Sequence, residues 1–151
     1  MALRAEALTV HIGERAVVED VWLTLQPGTW TAIVGPNGAG KSSLLQGLAG
    51  LRRATSGQVW LMGRLLAQWP AGERARALAW LSQHAEVTGE LAVRDVVALG
   101  RLPHHGLFGA PGAADVRAVD EALACTDCTA LAWRRLDELS GGERQRVLLA
   151  R

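Results

Sequence analysis

Gly35-Pro-Asn-Gly-Ala-Gly-Lys-Ser42 is the stretch on which the reading of this 151-residue chain turns. Glycines at 35, 38 and 40 let the backbone turn with positive φ and aim its N–H groups at one anion, with no side chain in the way. Lys41 is the only lysine, and fifteen arginines carry the remaining positive charge. An ammonium is a compact charge on a thin stem that passes through a tight glycine loop to phosphate oxygens, whereas a guanidinium is a wide planar fork. A chain that spends arginine everywhere else and keeps lysine here implies a position that needs the ammonium. Ser42 adds a hydroxyl suited to Mg²⁺. The pattern G-x-x-x-x-G-K-S therefore points to a purine-nucleotide phosphate site on residues 35–42.

The flanks agree with that reading. Trp30-Thr-Ala-Ile-Val34 reads as a buried, β-branched strand entering the loop, and Ser42 to Ala49 as a helix leaving it, with Gly50 placed to stop it. The helix N-terminus then adds its dipole to the phosphate site. Upstream, Leu8–Ile12 and Val17–Leu25 alternate well enough for an antiparallel pair, and Pro27-Gly28 makes the turn that follows. Downstream, Ser56-Gly57 opens a short strand, Gln58–Met62, closed by Gly63, and Ala77-Leu-Ala-Trp-Leu-Ser-Gln83 reads as an apolar strand ending in Gln83. From residue 90 to 138 the period changes: Val93-Val96-Val97-Leu99 and Val116-Val119-Leu123 repeat at helical spacing, with Pro103 and the stretch 106–112 breaking the run. No internal repeat or low-complexity linker marks an independent second domain.

A second motif, Leu139-Ser-Gly-Gly-Glu-Arg-Gln-Arg-Val147, follows about a hundred residues after Lys41. Ser140 and Glu143 form the S-x-x-E capping box of a helix expected to start after the two glycines, leaving N–H groups at a positive helix end that suits an anion. This motif, with its spacing from the phosphate loop, resembles the signature sequence of ATP-binding-cassette (ABC) ATPases of the transporter type. The resemblance covers nearly the whole chain. It implies an α/β phosphate-loop NTPase fold with an antiparallel β subdomain and a helical insertion, C-terminally incomplete. Residues 1–83 would hold the β subdomain and ATP-binding core, 84–138 the helical subdomain, and 139–151 the signature and the start of its helix.

By that resemblance ATP and Mg²⁺ are the cofactors. ATP lies on Gly35, Pro36, Asn37, Gly38, Ala39, Gly40, Lys41, Ser42 and Ser43; Ser42 and Gln83 hold Mg²⁺, with Gln83 also near the attacking water; and Lys41 and Gln83 are the catalytic residues this chain contains. Ser140, Gly141, Gly142 and Gln145 meet the ATP of a partner subunit, making the working form a head-to-tail homodimer. Val93-Arg-Asp-Val-Val-Ala-Leu-Gly-Arg-Leu-Pro-His104 looks like the segment that iron-siderophore, haem and cobalamin importers carry at the start of their helical subdomain. The implied protein is the ATP-binding subunit of such an importer. It hydrolyses ATP to drive uptake, beside transmembrane permease subunits and a periplasmic or extracellular substrate-binding protein. Its place is the cytoplasmic face of the inner membrane, held through the permease.

Composition narrows the alternatives. A net charge of +1 argues against a phosphate-backbone surface, and hence against nucleic acid as a partner. No run approaches the roughly 18 apolar residues of a spanning helix, and Glu6 interrupts the N-terminus before a secretory apolar region forms. Cys125 and Cys128 make a C-x-x-C, but with only His104 and His105 nearby in sequence the four matched ligands of a structural zinc site are missing, so two small residues near a helix end are expected. The six tryptophans lack interleaved basic residues, which makes core or interface packing their expected role.

Two features depart from the family pattern. Ile12 stands where many members place an aromatic that stacks on adenine, a contact worth about 1–3 kcal/mol unless His11 or a tryptophan replaces it. The sequence also stops at Arg151, inside the signature helix and before the family's aspartate strand, catalytic glutamate and switch histidine. These 151 residues alone are therefore expected to show no ATPase activity, to be marginally folded and to leave Trp30–Val34 without parallel neighbours. A catalytically inactive nucleotide-binding fragment, or an ABC ATPase of another transporter class, is the alternative.

Overall fold

Leu3–Ile12 (β1) and Arg15–Leu25 (β2) pair antiparallel, and both strands begin before the expected starts at Leu8 and Val17. Ala5, Leu8 and Val10 of β1 are all buried, although Ala5 and Leu8 are three apart and would face opposite sides of a regular strand. A bulge resolves this. Ala7 adopts φ 51° and, across the ladder, Asp20 adopts φ 46°, and the register shifts between Ala5 and Leu8, so that both side chains reach one face. The Asp20 N–H donates to Thr9 Oγ1 at 3.1 Å, a side-chain bond within the irregularity.

The computed structural model describes residues 2–83, 90–105 and 109–151. Two units, divided between Arg74 and Ala75, are each compact. In the first, Ser56–Leu61 (β3) adds antiparallel to β1 and returns through Met62-Gly63, both at positive φ, to the short Arg64–Leu65 (β4), giving the order β2-β1-β3-β4. Two positive-φ residues in a two-residue turn match the right-handed strand twist. The loop region feeds Lys41–Leu48 (α1), whose Gly47 lies so close to the sheet that a Cβ there would stand 3.1 Å from Val10 Cγ2. Gly50, at φ 68°, follows the helix end as expected.

The second unit is helical. Ala71–Ala77 (α2) spans the division; Val93–Ala98 (α3), Leu102–His105 (α4), Ala113–Cys125 (α5) and Gly141–Ala150 (α6) follow. Val93, Val96 and Val97 of α3, Val119 and Leu123 of α5 and Val147 of α6 close one core with Cys128 and Leu136. Burying each such side chain contributes about 1.5–3 kcal/mol, and α6, only ten residues long, holds its shape through these contacts. Pro103 does not break the helical run. The backbone tightens to a 3₁₀ turn over Leu99–Arg101 and Pro103 sits in the first turn of α4, where its missing N–H has no helical partner to lose.

Three expectations need correction. Trp30–Val34 is not a buried strand: it has no regular secondary structure, and Trp30 and Val34 are 102 % and 87 % exposed. Residues 78–82 likewise form no strand, with Ala77 ending α2 and Leu81 exposed. Both stretches carry the composition of interior strands, but a strand exists through its ladder partners, and among the described residues none runs beside either. Core packing also fails for the tryptophans, none of which is buried among the described residues. Trp60, Trp69 and Trp133 instead lie under the guanidinium groups of Arg4, Arg64 and Arg94 at 5.4, 5.5 and 5.6 Å, partners that stand apart from them in the sequence.

Candidate functional site

The loop from Gly35 to Gly40 has the backbone its glycines foretell. Gly35, Gly38 and Gly40 take φ of 154°, 83° and 83°, and Ala39 N–H donates to the Pro36 carbonyl at 3.3 Å to close the turn. Gly40 is fixed by space as well as by φ, since a Cβ there would stand 2.1 Å from the Val17 carbonyl oxygen of β2. Gly40→Ala combines left-handed strain with a backbone clash. It is expected to lower stability by about 2 kcal/mol or more, read from a urea midpoint; an unchanged midpoint would mean that the loop does not sit against β2 as described.

Helix α1 begins at Lys41, one residue earlier than expected. Its N-cap is Gly40, no side chain caps it, and no acidic residue lies in its first turn. The first N–H groups and the positive end of the dipole are thus left for an anion. Lys41 is half-buried and folds back over the loop, its Nζ donating to the Gly35 carbonyl at 2.8 Å and the Pro36 carbonyl at 2.7 Å. Asn37, Ala39 and Ser42 are exposed and Ser43 half-buried. These features fit a polyphosphate with a divalent cation: an uncapped helix start, one ammonium and a hydroxyl stand on successive residues, with no carboxylate in the helix's first turn to repel the charge.

Ile12 closes β1 and is 49 % exposed. His11 is engaged with Thr55, its N–H donating to Thr55 Oγ1 at 3.2 Å and its Nδ1 lying 3.1 Å from the same oxygen. An adenine stack on His11 would need the ring to leave that partner.

In the second unit Gln83 is exposed in a turn and ends the described segment; His84, singled out only as its neighbour, lies outside the described residues. The signature helix α6 starts at Gly141, not after the glycines: Ser140 is the N-cap and both glycines occupy the first turn. The capping box is complete. Glu143 N–H donates to Ser140 Oγ at 3.3 Å, while the Ser140 N–H and hydroxyl both donate to Glu143 Oε2, at 2.8 and 2.6 Å. Ser140's hydroxyl and then its N–H hold the Glu143 carboxyl below the usual carboxylate range. A Cβ at Gly141 or Gly142 would meet nothing within 4 Å, and Gln145 is exposed on the same helix.

The approach to α6 is braced in a way the sequence does not advertise. Val93 N–H donates to the Arg134 carbonyl at 2.9 Å and Leu136 N–H to the Leu91 carbonyl at 3.1 Å, tying the chain before α3 to the chain before Ser140. Arg135 adds a fork to Asp137, at 3.1 and 2.6 Å, and a longer ion pair to Glu90 at 3.4 Å. Neither Arg135 nor Glu90 belongs to a recognisable motif, and only their spatial pairing gives them a role. Cys125 is exposed at the end of α5, and Cys128 is a free, buried thiol in the helical core.

Residues 18–151 match the family profile described as ABC transporter. The chain is 41 % identical over 148 residues to the ferric enterobactin transport ATP-binding protein FepC of Escherichia coli, covering 98 % of this chain and 55 % of that protein. It is 47 % identical over 149 residues to the hemin import ATP-binding protein HmuV of Pseudomonas entomophila, covering 99 % of this chain and 57 % of that protein. The chain thus spans little more than half the length of these relatives. Among solved structures, cbiO1 from Clostridium perfringens, part of the ABC transporter complex cbiONQ, shares the fold with a TM-score of 0.81 at 23 % identity, over 99 % of this chain and 59 % of that one.

Proposed function

The chain belongs to the ABC transporter family, and on that premise we propose that it is the ATP-binding part of an importer subunit that takes up an iron chelate, haem or cobalamin. The observation that carries the phosphate site is Lys41, its ammonium held over the glycine loop at the uncapped start of α1. The relatives' names, ferric enterobactin transport and hemin import, support the cargo class.

ATP would lie on residues 35–43. Lys41 would exchange its two carbonyl partners for β- and γ-phosphate oxygens, a replacement of neutral acceptors by anionic ones, while the α1 N–H groups take the remaining oxygens. Ser42 and Gln83 would hold Mg²⁺, whose chemistry is to neutralise charge on the phosphoryl oxygens. Across a head-to-tail homodimer, Ser140, Gly141, Gly142 and Gln145 would meet the γ-phosphate side of the partner's ATP, so that ATP closes the dimer and hydrolysis reopens it. The bare approach to Gly141 and Gly142 leaves the room such a contact needs. Permease subunits and an external binding protein would complete the importer, placing this subunit at the cytoplasmic face of the membrane. Hydrolysis would also draw on residues that the family places beyond the signature helix.

Uptake tests the cargo class. A strain lacking the gene is expected to lose uptake of one labelled cargo among a ferric siderophore, haem and cobalamin, and to regain it from a plasmid copy. Unchanged uptake of all three would exclude the cargo class, leaving another transporter class.

A further inference from the structure

Both hydrogen-bond donors of Ser140 converge on a single negative oxygen, Glu143 Oε2, at 2.8 and 2.6 Å. An N–H and an O–H aimed at one anionic oxygen is also the arrangement that would receive a phosphate oxygen at this helix end. One oxygen occupies the place at a time. The neighbouring glycines obstruct nothing, since a Cβ on either would stand in open space, so the contest at Ser140 lies between Glu143 and whatever anion approaches. Arg134 and Arg146 lie near enough to favour the ionised carboxylate, which keeps the intramolecular partner charged.

Resting on the composite-site reading above, we propose that Glu143 is a built-in competitor for the γ-phosphate: its carboxylate occupies Ser140's donors until the partner subunit's ATP displaces it, and so sets how much ATP is needed to close the dimer. Two consequences follow from the charge. The displaced carboxylate remains one helical turn from the arriving phosphate and repels it, and the capping box is broken as the dimer forms. Glutamine at the same place still caps the helix, because its amide oxygen accepts from the Ser140 N–H, but it holds Ser140 less firmly and does not repel a phosphate. Glu143 in this role is a positioning residue. It controls where the Ser140 hydroxyl points and is itself no catalyst.

The test uses the whole gene product with ATP and the metal chelated, so that hydrolysis does not dissolve the dimer, and reads the ATP concentration for half-maximal dimerisation by light scattering. Glu143→Gln is expected to lower that concentration about threefold or more, as removing one charge about one helical turn from another in water implies, with an unchanged melting temperature. Glu143→Ala, which loses the cap, is expected to melt lower and still dimerise at less ATP than the parent. A merely structural Glu143 predicts the reverse for alanine and no gain for glutamine, and either result would overturn the competitor role. A parent protein that binds ATP without dimerising would overturn the composite-site reading itself, and this inference with it.

Discussion

Lys41→Ala is expected to weaken ATP binding about a hundredfold or more and to abolish transport in the complete importer. The ammonium donates two short hydrogen bonds to loop carbonyls, and each charge-assisted bond it would make to phosphate contributes about 1.5–3 kcal/mol; two of them give that loss. The alanine variant also leaves the Gly35 and Pro36 carbonyls without their shared donor, so the loop itself loosens. Lys41→Arg is the sharper comparison. Charge is preserved, but the planar fork does not thread the turn between Gly35 and Gly40 as a single ammonium does, so the arginine variant is expected to be nearly as impaired. Equilibrium dialysis with labelled ATP measures the first effect and cargo uptake the second; transport near the parent level in the arginine variant would remove the shape argument.

Ser140→Arg is expected to separate binding from association. The substitution removes the N-cap hydroxyl that accepts from Glu143 N–H and that donates to its carboxylate, and it places a long cation at the start of α6, against the positive helix end. Helix capping of this kind is worth about 1 kcal/mol, too little to unfold a unit whose core is formed by α3, α5 and α6. The phosphate loop is untouched. ATP should therefore bind the monomer with nearly parental affinity while the ATP-induced dimer is lost in light scattering. A variant that still dimerises on adding ATP would sink the assignment of Ser140 to the partner's nucleotide.

What the sequence reveals of this protein is mostly what depends on neighbours along the chain. Positive φ at Gly35, Gly38 and Gly40, the stop at Gly50 and the Ser140–Glu143 box are local geometries, and each stands as read. The β1–β2 pair was legible from alternation, but its bulge at Ala7 and Asp20 was not, because nothing in an alanine or an aspartate announces φ near 50°. Trp30–Val34 shows the limit most clearly. Its residues have the propensity of an interior strand, yet propensity supplies no ladder, and the segment takes no regular structure and lies largely exposed. Three of the tryptophans misled for a related reason, since an indole can rest its face against a guanidinium without entering the core. At the signature helix, spacing gave the capping box and left hidden which donor held the carboxylate; both of Ser140's do.

The composite site makes Lys41 of one subunit and Ser140 of the other parts of a single centre, and mixing the two defective variants tests this most directly. In a mixed dimer of Lys41→Ala and Ser140→Arg subunits, one site pairs an intact Lys41 with an intact Ser140, and the other pairs the two defects. With donor and acceptor dyes on the two whole-length variants, ATP is expected to produce energy transfer in the mixture and none when either variant carries both dyes alone. Transfer absent from the mixture, in a system where the labelled parent gives it, would contradict a head-to-tail site built from residues 35–43 of one copy and the start of α6 of the other.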